Sequence, residues 1–291
     1  MTNPRIPFQL SSTRRRLAAP AGKPLIVQLV VNVEHWPFDQ PMPRQTLTPA
    51  AGAKPKPDVP NWSWAEYGMR CGLPRLIELF NRLDVPAATT INASVIDAYP
   101  ALAEAILKAG WEFMGHGWTQ RSLQQEQDEV AVIRRCVERL SSFVGRAPRG
   151  WLGAGLHETE HTPEHLKEAG IEYVSDWVLD DLPCWMTTAK GPLIAMPYSV
   201  ELNDTVIYAI EKHPGDEIFR RVVDTVATFE RELGQNPRVM TIALHPYAIG
   251  VPHRLPHLER ALQMLKARDD TVFMTGSAIA DWFVVADRAA S

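Results

Sequence analysis

The first long apolar run of the chain, and the polar residues that follow it at once, indicate the fold class. Residues 25–36 read LIVQLVVNVEHW. The run Leu25–Val33 is rich in β-branched residues, which is typical of a strand covered on both faces in a parallel sheet. Glu34 and His35 follow directly. The sequence therefore predicts a parallel α/β sheet with polar groups just past the carboxyl end of its first strand.

Short apolar runs and amphipathic segments alternate through the rest of the chain. Further strands are predicted at residues 86–92, 111–114, 150–152, 172–175, 193–196, 239–244 and 271–274. Helices are predicted at residues 73–83, 99–109, 126–144, 216–233, 255–267 and 277–284, and another begins at Thr162. This strand count favours a closed or distorted (β/α) barrel over an open sheet. We expect an N-terminal arm at residues 1–24 and a single barrel domain at 25–291, with a long proline-rich loop at 37–63.

Composition and charge narrow the class of protein further. The chain has 291 residues, 30 Lys and Arg against 34 Asp and Glu, and three cysteines. This balance gives no reason to expect a nucleic-acid or membrane partner, and the cysteines have neither a disulfide nor a metal-site spacing. Arg14–Arg16 precede the first apolar run as in a signal peptide, but Pro20 and Pro24 interrupt the stretch between the arginines and that run. We expect a cytoplasmic protein that acts on a small molecule.

Polar residues recur at the predicted strand ends, where α/β barrels build their active sites. His116 stands between two glycines after a buried strand, and His245 follows the run 239–244. Both are candidates for acid–base chemistry, and a hydrogen-bonded core histidine is the alternative for each. Glu34 is a candidate base or metal ligand, with a rim salt bridge as the alternative. Arg149 is a candidate to orient an acidic partner or to bind a carbonyl oxygen.

Two acidic segments allow more than one interpretation. Asp176 and Asp180 stand beside tryptophans, where an acid can orient a histidine or bind a substrate N–H, although a solvated loop fits equally well. His157–His161 matches the zinc-protease pattern H-E-x-x-H, which requires a helix through the motif. Thr162-Pro163 marks a helix start immediately after it. We therefore assign residues 157–161 to a polar loop and not to a metalloprotease site.

Six segments together resemble the polysaccharide deacetylase (NodB-homology) superfamily, and most closely its metal-independent, allantoinase-like branch. They are VVNVEHWPF (30–38), GHGWTQRSL (115–123), APRGWLGAG (147–155), SDWVLDDLPCW (175–185), PYSVELND (197–204) and LHPYAIGVPHR (244–254). The resemblance implies a single-domain distorted (β/α)7 barrel. It also implies hydrolysis of cyclic amides or imides by a homo-oligomer.

One departure from the family pattern bears on the cofactor. Metal-dependent members of the superfamily carry an acidic pair in the first motif and His-x-x-x-His in the second. Here Gln120 occupies the position of the second histidine, and glutamine is a poor zinc ligand. We therefore expect no cofactor, and disfavour zinc or another divalent metal. If a metal is present, Glu34, His35 and His116 are the candidate ligands.

The sequence thus predicts a hydrolase of non-peptide C–N bonds, with a small cyclic amide, imide or ureide as substrate. One alternative is a metal-dependent N-deacetylase of an amino sugar or peptidoglycan fragment, and another is an inactive ligand-binding barrel. The loop at 37–63 is expected to pack over the strand ends or against another subunit. The expected catalytic residues are Glu34, His116, His245, Arg149 and Asp176. The expected substrate-binding residues are Trp36, Trp118, Trp151, Asp180 and Trp185.

Overall fold

The computed structural model describes residues 3–42, 46–49, 53 and 55–290. Within these ranges the strands are β1 (Leu25–Val33), β2 (Ala88–Ile91), β3 (Glu112–Gly115), β4 (Gly150–Trp151), β5 (Tyr173–Val174), β6 (Cys184–Met186), β7 (Leu193–Ala195), β8 (Arg238–Leu244) and β9 (Thr271–Phe273). The α-helices are α1 (Val59–Tyr67), α2 (Leu73–Leu83), α3 (Val95–Ala98), α4 (Pro100–Lys108), α5 (Glu129–Val144), α6 (Thr162–Glu168), α7 (Glu217–Phe229), α8 (Leu255–Lys266) and α9 (Gly276–Ala290).

The strands form one curled sheet in the order β6-β7-β5-β4-β3-β2-β1-β8, and β9 pairs with β1. The seven strands from β7 to β8 along this path are parallel, and β6 is antiparallel to β7. A parallel bridge between Asn203 and Ala243 lies beyond the β8 edge. The expected distorted (β/α)7 barrel is confirmed. All seven parallel strands direct their carboxyl ends to one rim, where the candidate site lies.

Alternation along β1 separates the core into two faces. Leu25, Val27 and Leu29 pack in a cluster shared with the helices, whereas Ile26 packs with residues of the barrel interior. Gln28 lies on the same face as Ile26 and is fully buried. Because side chains alternate along a strand, every second residue of β1 points into the barrel, and Glu34 continues this row past the strand end.

The proline-rich loop is shorter than the sequence predicts. Asp58 caps α1 by accepting a hydrogen bond from the Asn61 N–H, so the predicted loop already becomes helical at Val59. A π-helical turn, Gly68–Gly72, then joins α1 to α2. Residues 43–45, 50–52 and 54 of this segment lie outside the described part of the chain. Pro60 is the second residue of α1, a position that is compatible with helix initiation. The prolines of this segment therefore do not exclude a helix.

The described part of the N-terminal arm lies against the barrel. Arg5 forms an ion pair with Glu164 at 2.7 Å, and the buried Leu17 N–H donates to Asn236 Oδ1 at 2.8 Å. In the described residues, no helix combines the length and apolar character needed to cross a membrane.

Candidate active site

Glu34 lies just past β1 and is held by donors from two other loops. Its Oε1 accepts a hydrogen bond from Gln120 Nε2 at 2.8 Å, and its Oε2 accepts one from the Tyr247 hydroxyl at 3.0 Å. The Nε2 atom of His245 lies 3.6 Å from Oε1, and the Glu34 side chain is only 5% exposed. The carboxylate is therefore fixed where the ends of β1, β3 and β8 meet.

His245 follows β8 and is bound to the buried carboxylate of Asp204. Its Nδ1 lies 2.7 Å from Asp204 Oδ1, and its backbone N–H donates to Oδ2, also at 2.7 Å. The Ile249 N–H donates to Oδ2 as well, at 3.1 Å. Because an ionised carboxylate only accepts hydrogen bonds, Nδ1 carries a hydrogen, and in the neutral ring Nε2 presents a lone pair towards Glu34.

His116 follows β3 and is buried beside the other two groups. Its Nδ1 lies 2.6 Å from the Leu152 carbonyl oxygen, which accepts only, so Nδ1 carries a hydrogen. Its Nε2 is buried and has no hydrogen-bond partner among the described residues. Burial lowers the pKa of His116, and this effect outweighs the Glu34 carboxylate, which raises it. His116 is therefore neutral at neutral pH and offers Nε2 as an acceptor.

The polar groups of this site do not fit the metal centre of metal-dependent relatives. Among the described residues, no three His, Cys, Asp or Glu side chains are grouped as metal ligands. Gln120 stands at the position of the missing histidine, and its amide N–H groups donate to Glu34. The first and second motifs are thus joined by a hydrogen bond in which the Gln120 N–H donates to Glu34.

His35 is turned away from the site, which further weakens the alternative ligand set Glu34, His35 and His116. Its Nδ1 lies 2.7 Å from Ser94 Oγ, and its ring packs edge-on against Tyr99 with centroids 5.7 Å apart. Burial lowers the pKa of His35, against a smaller effect of Glu66. The ring therefore packs against Ser94 and Tyr99, the residues that flank α3.

Buried polar side chains form the floor of the site. Asn32 donates from Nδ2 to the Tyr198 hydroxyl at 3.1 Å and accepts a hydrogen bond from Thr90 Oγ1 at 2.7 Å. Burial raises the pKa of Tyr198, and the carboxyl groups of Asp204, Glu34 and Asp176 raise it further, after a smaller opposing hydrogen bond from Asn32. Tyr198 is therefore within electrostatic range of all three acids, and Asp176 stays a predicted site residue.

Arg149 corrects the sequence-based prediction. It precedes β4, so it lies at the amino end of a parallel strand, opposite the rim that carries His116 and His245. Its guanidinium is 33% exposed and forms ion pairs at 2.6 Å with Glu172 and Asp281. It cannot orient the catalytic groups from there.

Three of the expected substrate-binding residues also lie elsewhere. Trp151 is fully buried in the cluster that faces the helices, because alternation along β4 points it out of the barrel. Trp185 lies on the edge strand β6 and donates from Nε1 to Asp287 at 2.9 Å. Asp180 forms an ion pair with Arg14 of the N-terminal arm at 3.0 Å.

The remaining two tryptophans stay close to the rim. Trp36 follows Glu34 and is half-buried, with its carbonyl oxygen accepting a hydrogen bond from Trp62 Nε1 at 2.9 Å. Trp118 follows His116, and its ring stacks under the Arg135 guanidinium at 3.4 Å. Both remain candidates for substrate contact.

Asp204 and Tyr247 are site residues that the sequence analysis did not single out. Asp204 ends the segment PYSVELND, and Tyr247 lies two residues after His245. Both lie in segments that carry the family resemblance, and this position was the only indication in the sequence that they belong to the site. Their partners lie 41 and 213 residues away in sequence, so local patterns could not pair them.

Comparisons with known proteins agree with this architecture. A family model described as "Polysaccharide deacetylase" matches residues 63–174. A Schizosaccharomyces pombe protein with a provisional polysaccharide deacetylase name is 27% identical over 263 residues, which cover 81% of each chain. A Helicobacter pylori peptidoglycan deacetylase is 25% identical over 138 residues, or 46% of each chain.

Two solved structures have the same fold along nearly the whole chain. PuuE allantoinase superposes with a TM-score of 0.86 at 23% identity, covering 94% of this chain and 95% of the other. A Pseudomonas aeruginosa PAO1 protein with a provisional polysaccharide deacetylase name superposes with a TM-score of 0.79 at 26% identity, covering 91% and 92%. The resemblance of this chain to the polysaccharide deacetylase superfamily is thus confirmed by a family match at residues 63–174 and by neighbours of the same fold, and these matches agree with a hydrolase of carbon–nitrogen bonds other than peptide bonds.

Proposed function

We propose that this chain hydrolyses a C–N bond in a small cyclic amide, imide or ureide, and does so without a metal ion. The observation that carries the proposal is the hydrogen bond of 2.8 Å from Gln120 Nε2 to Glu34. It puts an amide donor where metal-dependent relatives have a histidine ligand. The superfamily's acid and histidine are thus retained, but they serve acid–base chemistry.

The substrate class follows from the hydrogen-bonding groups left open in the site. His116 Nε2 and Gln120 Oε1 are buried and have no hydrogen bond of normal geometry among the described residues, although the Gln120 amide also raises the pKa of His116 and so lies within reach of its ring. A buried acceptor costs free energy unless a ligand or water donates to it, so the site favours a ligand with several N–H groups. Cyclic ureides and imides supply N–H groups on a small planar ring.

Burial also favours a small molecule over a polymer. The side chains of Glu34 and His245 are 5% and 7% exposed. A polysaccharide chain needs an open groove, whereas a compact ring fits an enclosed site with a few polar groups. Several similar proteins are named as deacetylases, so an acetylated amino sugar is the competing substrate.

The geometry supports His245 as the group that transfers protons, with Asp204 and Glu34 acting on its ring. Asp204 accepts the Nδ1 hydrogen of His245, so Nε2 can take a proton from water as the water oxygen bonds to the carbonyl carbon. The imidazolium then returns this proton to the ring nitrogen of the substrate as the C–N bond breaks. The Glu34 carboxylate, 3.6 Å from Nε2, stabilises the imidazolium that forms. His116 Nε2 accepts an N–H of the substrate and so orients its carbonyl carbon towards the water.

A substrate panel tests the proposal. The purified protein would be assayed with allantoin, hydantoin, succinimide and acetylated amino-sugar oligomers, by chromatographic detection of the opened or deacetylated product. We expect turnover of a cyclic substrate, and a loss of about 10²–10⁴ in rate for Glu34→Gln, because the general base His245 loses the charge that stabilises its imidazolium. The matched control is Glu104→Gln, at an exposed position on α4.

The alternatives give different results in the same panel. Deacetylation of the amino sugar without ring opening would overturn the proposal in favour of a deacetylase. Binding of a ring compound without turnover of any substrate would indicate an inactive ligand-binding barrel.

A further inference from the structure

Glu158 stands at the centre of the His157–His161 motif, which sequence analysis assigned to a loop. The structure confirms the loop, because the motif lies between a 3-10 turn that ends at Leu156 and the start of α6. The glutamate nevertheless points inward. Its Oε2 accepts a hydrogen bond from Trp177 Nε1 at 2.9 Å, and its Oε1 is buried without a partner among the described residues.

Asp176 supplies the group that Glu158 faces. Its Oδ1 accepts a hydrogen bond from the Gly153 N–H at 2.6 Å. Its Oδ2 is buried, and no N–H or O–H group of the described residues donates to it. Each carboxyl group acts on the pKa of the other as a hydrogen-bond partner, and both have one buried oxygen with no other partner among the described residues. Two ionised carboxylates cannot bond in this way because neither carries a hydrogen. One proton between them satisfies both buried oxygens.

The approach of Asp176 depends on a glycine. A Cβ atom at Gly153 would lie 3.0 Å from Asp176 Oδ2 and 3.0 Å from the His157 carbonyl oxygen. Both distances are tighter than normal contacts with a Cβ, so a side chain here would push the acid and the loop apart. The loop, the acid and the end of β4 are packed as one unit.

One peptide group connects this unit to the catalytic centre. The Leu152 carbonyl oxygen lies 2.6 Å from His116 Nδ1, and the N–H of the same peptide, on Gly153, donates to Asp176 at 2.6 Å. The plane of a peptide is rigid, so a shift of Asp176 changes the carbonyl that orients the His116 ring.

We propose that Asp176 and Glu158 hold one proton between them, and that this carboxyl pair positions His116 through the Leu152–Gly153 peptide. The positioning role rests on the proposed hydrolytic function, whereas the shared proton does not. Asp176 and Glu158 are positioning residues, since they act on the substrate only through His116.

The local electrostatics agree with a proton that resides on Asp176. Burial raises the pKa of Asp176 well above its usual range, and the Glu158 carboxyl raises it further. Burial also raises the pKa of Glu158, although the hydrogen bond with Asp176 lowers it. The shared hydrogen bond therefore favours protonated Asp176 as donor and Glu158 as acceptor.

Charges on the neighbouring elements act more weakly on the pair. Arg5 of the N-terminal arm lowers the pKa of Glu158, and Glu129 of α5 raises it. Asp176 in turn raises the pKa of Tyr198, past β7, whose pKa is raised mainly by burial. At high pH the pair loses its proton, and two adjacent buried carboxylates then repel each other.

Infrared spectroscopy tests the shared proton without any substrate. We expect a carbonyl band of a protonated carboxylic acid at neutral pH, lost in both Asp176→Asn and Glu158→Gln. Glu160→Gln is the matched control, since Glu160 is in the same loop and its side chain is 85% exposed. Absence of the band in the wild-type protein, or its persistence in both variants, would overturn the shared proton.

Two Asp176 variants test the positioning role. Asn mimics the protonated pair, because Oδ1 still accepts from Gly153 and Nδ2 donates to Glu158. We expect Asp176→Asn to keep kcat/KM within about tenfold and to lose the alkaline decline of the wild type, whereas Asp176→Ala loses at least about 10². The His116 ring signals in NMR should move in the Ala variant and stay in the Asn variant. A folded Asp176→Asn that loses about 10² or more, or unmoved His116 signals in Asp176→Ala, would overturn it.

Discussion

Nδ1 of His245 lies 2.7 Å from Oδ1 of the fully buried Asp204, and the other oxygen of that carboxylate accepts the backbone N–H of His245. Because one carboxylate accepts both hydrogen bonds, it fixes the place of His245 and the orientation of its ring. The arrangement also selects the tautomer that exposes Nε2 to Glu34.

Replacing Asp204 by Asn should therefore lower activity more than stability. The amide keeps the size of the side chain, but it can donate to Nδ1 and so favour the wrong tautomer of His245. We expect a loss of about 10²–10⁴ in kcat, measured on the substrate that the panel identifies. An active Asp204→Asn variant with an unshifted pH profile would argue against His245 as the base.

His116 should be essential, whereas two histidines of the loop motif should not. His116→Ala removes a buried acceptor of the site, and we expect a loss of about 10²–10⁴ in rate. His157 and His161 are exposed, so His157→Ala and His161→Ala should keep nearly full activity. Thermal melts control for folding. Loss of activity in a folded loop variant, with His116→Ala active, would place the site elsewhere.

Arg149→Ala should leave catalysis unchanged. The guanidinium pairs with Glu172 and Asp281 at the opposite end of the barrel, where half-exposed ion pairs contribute about 0–1 kcal/mol to the free energy of unfolding. We expect wild-type kcat/KM and a slightly lower melting temperature. A loss of activity without a loss of stability would show that Arg149 takes part in catalysis.

We propose that the segment at 37–63 contributes to a homo-oligomer. Phe38, Leu47 and Val59 of this segment are 47%, 59% and 53% exposed, and apolar groups left in water favour burial against a partner. Light scattering should give more than one chain per particle, and Leu47→Glu should weaken the assembly. Leu107→Glu, at another exposed apolar position, is the control. A monomeric wild-type protein would refute the proposal.

The fold and the positions of Glu34, His116 and His245 could be predicted from the sequence, because each depends on short, local patterns. The apolar run before Glu34 and the run before His245 are long enough to reveal buried strands, and residues after parallel strands meet at one rim. β4 has only two residues, which is too short for periodicity. The strand end at which Arg149 lies and the face on which Trp151 lies were therefore misjudged.

Other features of the site depend on contacts between distant segments. Nothing near Asp204 indicates that it binds a histidine 41 residues away. Glu158 lies in the H-E-x-x-H pattern, but the helix that a zinc-protease site requires is absent there. Its interaction with Asp176 forms only when the two loops pack together. Such pairings are set by tertiary packing and leave no periodic signal in the chain.

The most direct test of the proposed mechanism is activity in the absence of metal. Metal content of the purified protein would be measured by mass spectrometry, and kcat/KM on the best cyclic substrate would be measured before and after treatment with a strong chelator. Because Gln120 donates to Glu34 where relatives have a histidine ligand, we expect no stoichiometric zinc and an unchanged kcat/KM. A tightly bound zinc in every chain, with activity lost on its removal and restored by its return, would contradict the mechanism.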